Sequence, residues 1–205
     1  FQTPDGRARL VTPVAPALAS VVSDAFPFRL NTGRIRDQWH TMTRSGRSSR
    51  LGSHRPVPFV EANPADATRL GLAEGDLARV STARGAAILE VRLAEAQAPG
   101  SLFAPIHWSD TTASAGRIGA LVHSDVDPFS GQPEMKASPA AIEKVAAARR
   151  GLVLSRSPVS LPAGTWWARA AVEGGQGLVF ASDEEATAFQ ALAPTLFPGA
   201  ELAEY

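Results

Sequence analysis

Short runs of strand-forming residues, separated by turn-forming residues, fill the first half of the chain and constrain its fold most strongly. Each run has the five to seven residues of an ordinary strand. Many short strands in succession favour a barrel or a sandwich. The predicted strands cover residues 26–30, 57–61, 76–81, 87–93 and 101–106.

One helix is signalled between the second and third predicted strands. Asn63 can cap it, and Pro64 suits its first position because the N–H that proline lacks would have no helical partner there. Gly71 ends the helix, which is predicted over residues 65–70. Residues that commonly start or end helices flank the segment 139–150, but its apolar positions also fit a strand, so both interpretations stay open.

Charge divides the chain into two regions, although 20 basic side chains balance 20 acidic ones. Seven arginines stand against one acid between residues 29 and 55, whereas acids dominate after residue 158. The Ser- and Pro-bearing stretch at residues 155–162 is typical of a linker. We therefore predict two domains, residues 1–157 and residues 158–205.

The second predicted domain has the pattern of a small α+β extension. Strands at residues 165–172 and 178–181 flank a glycine-rich turn at residues 173–177, which is typical of a hairpin. A capping box that starts at Ser182 predicts a helix over residues 183–192. We find no catalytic arrangement in this domain.

Composition excludes several functional classes. With 0 Cys, the chain can supply no disulfide, thiolate metal site, iron–sulfur cluster or cysteine nucleophile. No apolar run reaches the roughly 18 residues that cross a bilayer, so no membrane partner is expected. A net charge of zero argues against a general nucleic-acid partner. Because the sequence starts at Phe1 without an initiator methionine, we expect a piece of a longer protein.

Residues 31–46 follow the first predicted strand and carry the strongest binding signal. Gly33 lets the backbone approach a ligand closely, while Arg34 and Arg44 can grip phosphate oxygens. Hydroxyls, neutral polar groups and a flat indole complete a set suited to a phosphorylated heterocycle. The candidates are Asn31, Thr32, Gly33, Arg34, Gln38, Trp39, His40, Thr41, Thr43 and Arg44. A solvated basic loop and a single-stranded nucleic-acid site are the alternatives.

Two later segments add candidates. A predicted strand ends in His107 and Trp108, and a loop at residues 127–136 delivers Lys136 at its end. Each also has a plain structural interpretation, as a hydrogen-bonded histidine or an ordinary surface loop. The four histidines lack metal-ligand spacing, so no zinc site is expected. No nucleophile elbow, P-loop, dinucleotide fingerprint or carboxylate pair is present, so the residues favour a binding module over a self-sufficient enzyme.

Taken in order, these segments resemble the C-terminal cofactor-binding domain of the dimethyl sulfoxide reductase family of molybdenum enzymes. The resemblance lies in residues 1–8, 30–44 and 63–76 and covers about residues 1–145. It implies a mainly β fold, a six-stranded double-psi β-barrel with short helices, followed here by the small α+β extension. It also implies a bis(molybdopterin guanine dinucleotide) cofactor, contacted by the candidates above together with His107, Trp108, Gln132 and Lys136.

Within that family, residues 117–122 and 127–136 are similar to assimilatory nitrate reductases, and the tail around Trp166 resembles their extension. Periplasmic relatives usually carry Asn where this chain has Gly119, so that contact is not transferred. The resemblance implies the C-terminal part of a cytoplasmic enzyme that reduces nitrate to nitrite. Its metal ligand and iron–sulfur cluster would lie on the remaining domains of the reductase, so we expect no activity from this chain alone.

Two alternatives stay open at this point. The same domain could serve a formate dehydrogenase, because the residues that select the substrate lie on other domains. A stand-alone phosphate- or nucleic-acid-binding module is the alternative of another class. The electron donor is not indicated by these residues.

Overall fold

The computed structural model describes residues 1–14, 17–38 and 41–183, and its centre is a closed barrel of six strands. These strands are β1 (Phe28–Gly33), β2 (Phe59–Ala62), β3 (Leu77–Ser81), β4 (Ala86–Leu93), β5 (Ser101–Pro105) and β6 (Ser138–Val145). Around the barrel they follow the order β1-β5-β2-β4-β3-β6. The expected mainly β fold with a six-stranded barrel is confirmed.

The barrel combines parallel and antiparallel pairs. β1 runs parallel to β5, and β2 runs parallel to β4, while the other neighbours are antiparallel. Closing the ring gives every barrel strand two partners, which satisfies backbone groups that an open sheet would leave at its edges. The parallel pairing of β1 and β5 also places their carboxyl ends side by side.

Alternation along the strands fills the barrel with apolar side chains. In β4 every second residue, Ala87, Leu89 and Val91, is buried. Leu30 of β1 and Leu102 of β5 pack with these β4 residues in one apolar cluster. Burial of apolar surface is the main favourable term in folding, so this interior is the principal source of the barrel's stability.

All five strands predicted from the sequence are present, with shifted ends. β1 continues to Gly33 instead of ending at Leu30, because β5 provides parallel partners for Asn31, Thr32 and Gly33. The choice left open at residues 139–150 is resolved in favour of strands, since β6 closes the barrel between β1 and β3.

The predicted helix after Asn63 is confirmed as α2 (Pro64–Arg69). Asn63 Oδ1 accepts a hydrogen bond of 2.9 Å from the amide of Ala65, which caps the helix. A further short helix, α1 (Ser49–Gly52), and two 3-10 helices at Ser45–Arg47 and Ile118–Leu121 lie in the connections. Among the described residues, no helix is long and apolar enough to cross a bilayer.

A second sheet follows the barrel and consists of β7 (Arg149–Ser155), β8 (Trp166–Val172) and β9 (Gly175–Ser182) in the order β7-β9-β8. The hairpin predicted from the glycine-rich turn is present as β8 and β9. Its turn is shorter than expected, because β9 starts at Gly175 and Gly174 reverses the chain with φ of 72°.

The predicted domain boundary at residue 157 falls in the connection between β7, which ends at Ser155, and β8, which starts at Trp166. β7 precedes this boundary but belongs to the second sheet, because it pairs with β9. The extension is therefore built from strands in the described part of the chain. The helix predicted over residues 183–192 lies, after its first residue, outside the described residues.

A second apolar cluster joins the barrel to this sheet. Phe59 and Leu77 of the barrel strands pack there with Trp166, Ala168 and Ala181 of the second sheet. The loop residues Met42, Trp108 and Ala113 belong to the same cluster.

Candidate functional site

The carboxyl ends of β1 and β5 bring two of the three predicted segments together. Gly33 lies beside Pro105 in the parallel register, and the amide of Ile106 donates a 3.0 Å hydrogen bond to the carbonyl of Gly33. The arginine-rich segment and the His107-Trp108 segment therefore leave the barrel from adjacent strand ends. Loops at strand ends are common places for binding residues.

His107 ties these two segments to each other. Its side chain is buried, and Nε2 accepts a 2.9 Å hydrogen bond from the amide of Ile35. An accepting Nε2 places the ring proton of a neutral imidazole on Nδ1. Burial, with a smaller contribution from the Arg34 guanidinium, lowers the pKa of His107 below its ordinary value of 6.5. The ring is thus held neutral and in one tautomer.

The third segment is fastened to β1 through Thr32, which is fully buried. Thr32 Oγ1 donates a 2.6 Å hydrogen bond to the carbonyl of Met135, and Lys136 Nζ donates to the carbonyl of Thr32. Lys136 is therefore bonded to the strand end, although the residue stays exposed to solvent. Gln132 is not brought to β1, because it sits on an exposed turn closed by a 2.9 Å bond from the Asp127 amide to its carbonyl.

Close packing at Gly33 completes the junction of the three segments. A Cβ at this position would lie 2.8 Å from Cε2 of Phe103 and 3.8 Å from Nζ of Lys136. A side chain here would force the Phe103 ring or the strand to shift. The sequence predicted a close approach to a ligand at Gly33, whereas the close neighbour among the described residues is an aromatic ring of this chain.

Two predicted residues bury N–H donors that have no partner within the described part of the chain. Gln38 accepts a hydrogen bond from Ser45 Oγ through its Oε1, but its Nε2 is buried and unpaired. Trp108 packs edge-on against Phe59 at a centroid distance of 6.2 Å, and its Nε1 is likewise buried and unpaired. A buried donor without an acceptor costs about 1–3 kcal/mol and calls for an explanation, which a bound polar ligand would provide.

The arginines of the loop fall into two groups. Arg36 pairs with Asp37 at 3.0 Å, and His54 also contacts that carboxylate, so His54 first and Arg36 second lower the pKa of Asp37. Arg34 and Arg44 are exposed and form no ion pair with any described residue. Within residues 31–46, these two guanidinium groups are available to an anion.

Thr41 and Thr43 are exposed, and Asn31 is an exposed residue within β1. Thr41 and Met42 have positive φ values of 49° and 61°, a region that costs free energy for residues with a side chain. Met42 is buried in the second apolar cluster, which holds this turn in place. Trp39 and His40 lie outside the described residues.

Several groups that join the segments were not identified from the sequence. The amide of Ile35 and the carbonyls of Thr32 and Met135 are backbone groups, and every residue type carries such groups. The role of Ser45 as partner of Gln38 also depends on a fold in which both are buried.

The segments that follow β1 and β5 carry exposed arginines without an ion pair, and buried N–H donors without an acceptor, among the described residues. Such a set suits a domain that binds a phosphate-bearing heterocycle. The chain belongs to the molydopterin dinucleotide binding domain family, whose model matches residues 28–139, more than half of its length. That range contains all three predicted segments. The family confirms the predicted cofactor class, a molybdopterin dinucleotide, and the unpaired donors and arginines fit such a group.

Relatives with assigned names include two kinds of oxidoreductase. The chain is 48% identical over 180 residues to the nitrate reductase of Klebsiella oxytoca, covering 87% of this chain and 21% of that protein. It is 30% identical over 145 residues to the F420-dependent formate dehydrogenase subunit alpha of Methanocaldococcus jannaschii, covering 71% of this chain and 21% of that subunit. The chain therefore spans about a fifth of the length of these relatives.

Among solved structures, the acetylene hydratase from Pelobacter acetylenicus is similar, with a TM-score of 0.51 and 21% sequence identity. The match covers 58% of this chain and 18% of the hydratase chain. At this identity the likeness concerns the fold alone.

Proposed function

We propose that this chain binds one dinucleotide arm of a bis(molybdopterin guanine dinucleotide) cofactor as the C-terminal part of a nitrate reductase. The observation that carries the proposal is the fastening of three segments to one strand end, through His107 with Ile35 and through Thr32 with Met135 and Lys136. When bound, the cofactor supplies the metal at which an oxygen atom is removed from nitrate to give nitrite.

Each group of residues has its own part in binding. Arg34 and Arg44 would neutralise phosphate charge, since both are exposed and unpaired among the described residues. Gln38 Nε2 and Trp108 Nε1 would donate hydrogen bonds to polar atoms of the cofactor, because both are buried without an acceptor among the described residues. Asn31, Thr41 and Thr43 are exposed in the same segment and would add neutral contacts.

His107 and Lys136 would act mainly by positioning. His107 uses Nε2 to hold Ile35, which leaves only its Nδ1–H for a ligand. Lys136 holds the carbonyl of Thr32, and its positive charge stays at the strand end where it favours an anionic neighbour. Gln132 lies on an exposed turn away from β1, so it would contact the cofactor only if the cofactor extends to that turn.

The nitrate assignment rests on the 48% identity to the Klebsiella oxytoca enzyme and on the assimilatory pattern of residues 117–122 and 127–136. On this proposal the reductase is cytoplasmic, and its remaining domains hold the metal ligand and an iron–sulfur cluster. A chain without cysteine that spans about a fifth of such an enzyme would not turn over nitrate alone.

The test uses the full-length reductase with Arg34→Ala and Arg44→Ala, and with Arg156→Ala as the matched control. Arg156 is exposed and forms no ion pair among the described residues, but lies in the connection after β7. Molybdenum and guanine nucleotide per polypeptide would fall in the first two variants and stay unchanged in the control. A charge-assisted contact of about 1.5–3 kcal/mol corresponds to roughly 10- to 150-fold weaker retention. Full cofactor content in both site variants would refute the assignment.

A formate dehydrogenase is the second candidate, because a formate dehydrogenase subunit is 30% identical over most of the chain. The two candidates differ in substrate and not in the role of this domain. Turnover of nitrate with a reduced dye, compared with reduction of an oxidised dye by formate, separates them in the full-length enzyme.

A further inference from the structure

The second sheet lies outside the residues that the family model matches, yet it is bonded to the loop that follows Trp108. Three hydrogen bonds join Ser114 and Trp167. Two of 2.9 Å run from the Ser114 amide to the Trp167 carbonyl and from the Trp167 amide to Ser114 Oγ, and a longer one of 3.4 Å runs from Ser114 Oγ to the Trp167 carbonyl. The amide of Arg169 donates a 2.8 Å bond to the carbonyl of Thr112. The free edge of β8 thus pairs with residues 112–114.

The barrel holds the same loop from its other side. The amide of Ile88 in β4 donates a 2.9 Å hydrogen bond to the carbonyl of Ala115. The indole Nε1 of Trp166 donates a 3.0 Å bond to the carbonyl of Ile88. Residues 112–115 are therefore fixed between β4 and β8, and Trp166 links the two strands directly.

The sheet also supports the arginine-rich loop. The 3-10 helix at Ser45–Arg47 and α1 both contact β8. Met42, whose backbone has a positive φ, shares the second apolar cluster with Trp108 and Trp166. One strand of the extension therefore touches both loops that contain the candidate cofactor contacts.

We infer that the β7–β9 sheet is a brace that holds the two cofactor loops in their binding conformation, with Trp166 as its positioning residue. Ordering a loop before a ligand arrives removes an entropic cost from binding. A barrel without the brace would form the same strands but present looser loops. The consequence for the cofactor rests on the function proposed above, whereas the ordering of the loops does not.

The test compares Trp166→Ala with Trp167→Ala in the full-length reductase, prepared with and without cofactor. Trp167 is the neighbouring indole, half-buried and placed on the opposite face of β8. Trp166→Phe is the conservative variant, since it keeps an apolar ring in the cluster while losing the bond to Ile88 and part of the indole's apolar area. Ser114→Ala removes both hydrogen bonds between Ser114 Oγ and the backbone of Trp167 without touching the cluster, and replaces Trp166→Ala if that variant fails to fold.

Amide hydrogen exchange in residues 41–52 and 107–115 is the direct readout. Trp166→Ala should speed exchange there, and at the Ile88 amide that donates to Ala115, by about tenfold or more in the cofactor-free protein. The amides of β3 and the rest of β4 should be unchanged, and cofactor loss from the loaded protein should be faster. Trp166→Phe should restore most of the protection, and Trp167→Ala should match the wild type. Unchanged exchange in both loops of a folded Trp166→Ala or Ser114→Ala variant would overturn the brace.

The readouts separate the two proposals. Faster loop exchange in Trp166→Ala, together with unchanged cofactor retention in Arg34→Ala and Arg44→Ala, would support the brace and reject the proposed cofactor contacts. Unchanged exchange, together with lost cofactor in Arg34→Ala and Arg44→Ala, would reject the brace and leave the proposed function standing.

Discussion

The buried imidazole of His107 accepts a hydrogen bond of 2.9 Å from the amide of Ile35, a residue 72 positions earlier in the chain. The two residues follow the carboxyl ends of β5 and β1, so their contact depends on the parallel pairing of these strands. The bond requires an imidazole whose Nε2 is unprotonated. Its strength should therefore depend on pH.

We predict that acidification destabilises the protein through His107. Burial lowers the pKa of this group in the folded state below 6.5, so the unfolded chain binds the proton more tightly. The stabilising contribution is fully present above pH 6.5 and is lost as the pH falls from there through the folded pKa. Urea unfolding between pH 8 and pH 5 measures it.

His107→Gln provides the comparison for that experiment. Glutamine can still accept a hydrogen bond but does not titrate, so the slope of unfolding free energy against pH below 6.5 should be shallower in the variant. Equal slopes in the two proteins would show that His107 is not the titrating group.

A second prediction concerns the packing of Gly33. Gly33→Ala would place a Cβ 2.8 Å from Cε2 and 3.3 Å from Cζ of Phe103, so the ring or the strand must shift. We expect a loss of about 1–3 kcal/mol in the free energy of unfolding. Gly119→Ala is the matched control, because a Cβ there would meet nothing within 4 Å, and its effect should stay within about 0.5 kcal/mol.

Phe103→Leu tests whether the Phe103 ring causes the loss of stability in Gly33→Ala, because it shortens the side chain that opposes Gly33. If the ring is the obstacle, the double variant should lose less stability than the sum of the two single variants. Additive losses would place the strain of Gly33→Ala elsewhere.

The strands and α2 were predictable because strand-forming runs, turn residues and helix caps are encoded in nearby residues. Asn63 marks the start of its helix as the cap, and β4 is a run of strand-forming residues between turn signals. The extension of β1 to Gly33 was not predictable, since it depends on pairing with β5 about 70 residues later. Residues 139–150 were ambiguous for the same reason, because β6 is stabilised as a strand by pairing with β1 on one side and β3 on the other.

The candidate site was predictable to a similar degree. Arginine, glycine and histidine can be identified as candidates from their side-chain chemistry alone. The structure brings Gly33, His107 and Lys136 to one strand end. The partners that hold them, the Ile35 amide and the Met135 carbonyl, are backbone atoms without a sequence signature. The link from β8 to the loops is equally invisible, since Trp166 and Ile88 are 78 residues apart.

A third prediction addresses the bond between Thr32 and Met135. Thr32→Val keeps the shape of the buried side chain but removes the hydroxyl that donates 2.6 Å to the Met135 carbonyl. We expect a loss of about 1–3 kcal/mol, because a part-buried carbonyl loses its partner. Thr32→Ser restores a hydroxyl and should recover more than half of that loss in thermal or urea unfolding. A serine variant no more stable than the valine variant would assign the effect to packing.

The final prediction uses the two buried indoles as a pair. The Nε1 of Trp166 is bonded to Ile88, whereas the Nε1 of Trp108 has no partner among the described residues. Replacing each by phenylalanine removes similar apolar area, but only Trp166→Phe breaks a hydrogen bond in the cofactor-free protein. Trp108→Phe should therefore cost about 0.5–1.5 kcal/mol less in unfolding free energy. In the loaded reductase Trp108→Phe should nevertheless lower cofactor content, because the cofactor would lose a donor. Equal costs in the cofactor-free protein would mean that Trp108 already has an acceptor within the chain.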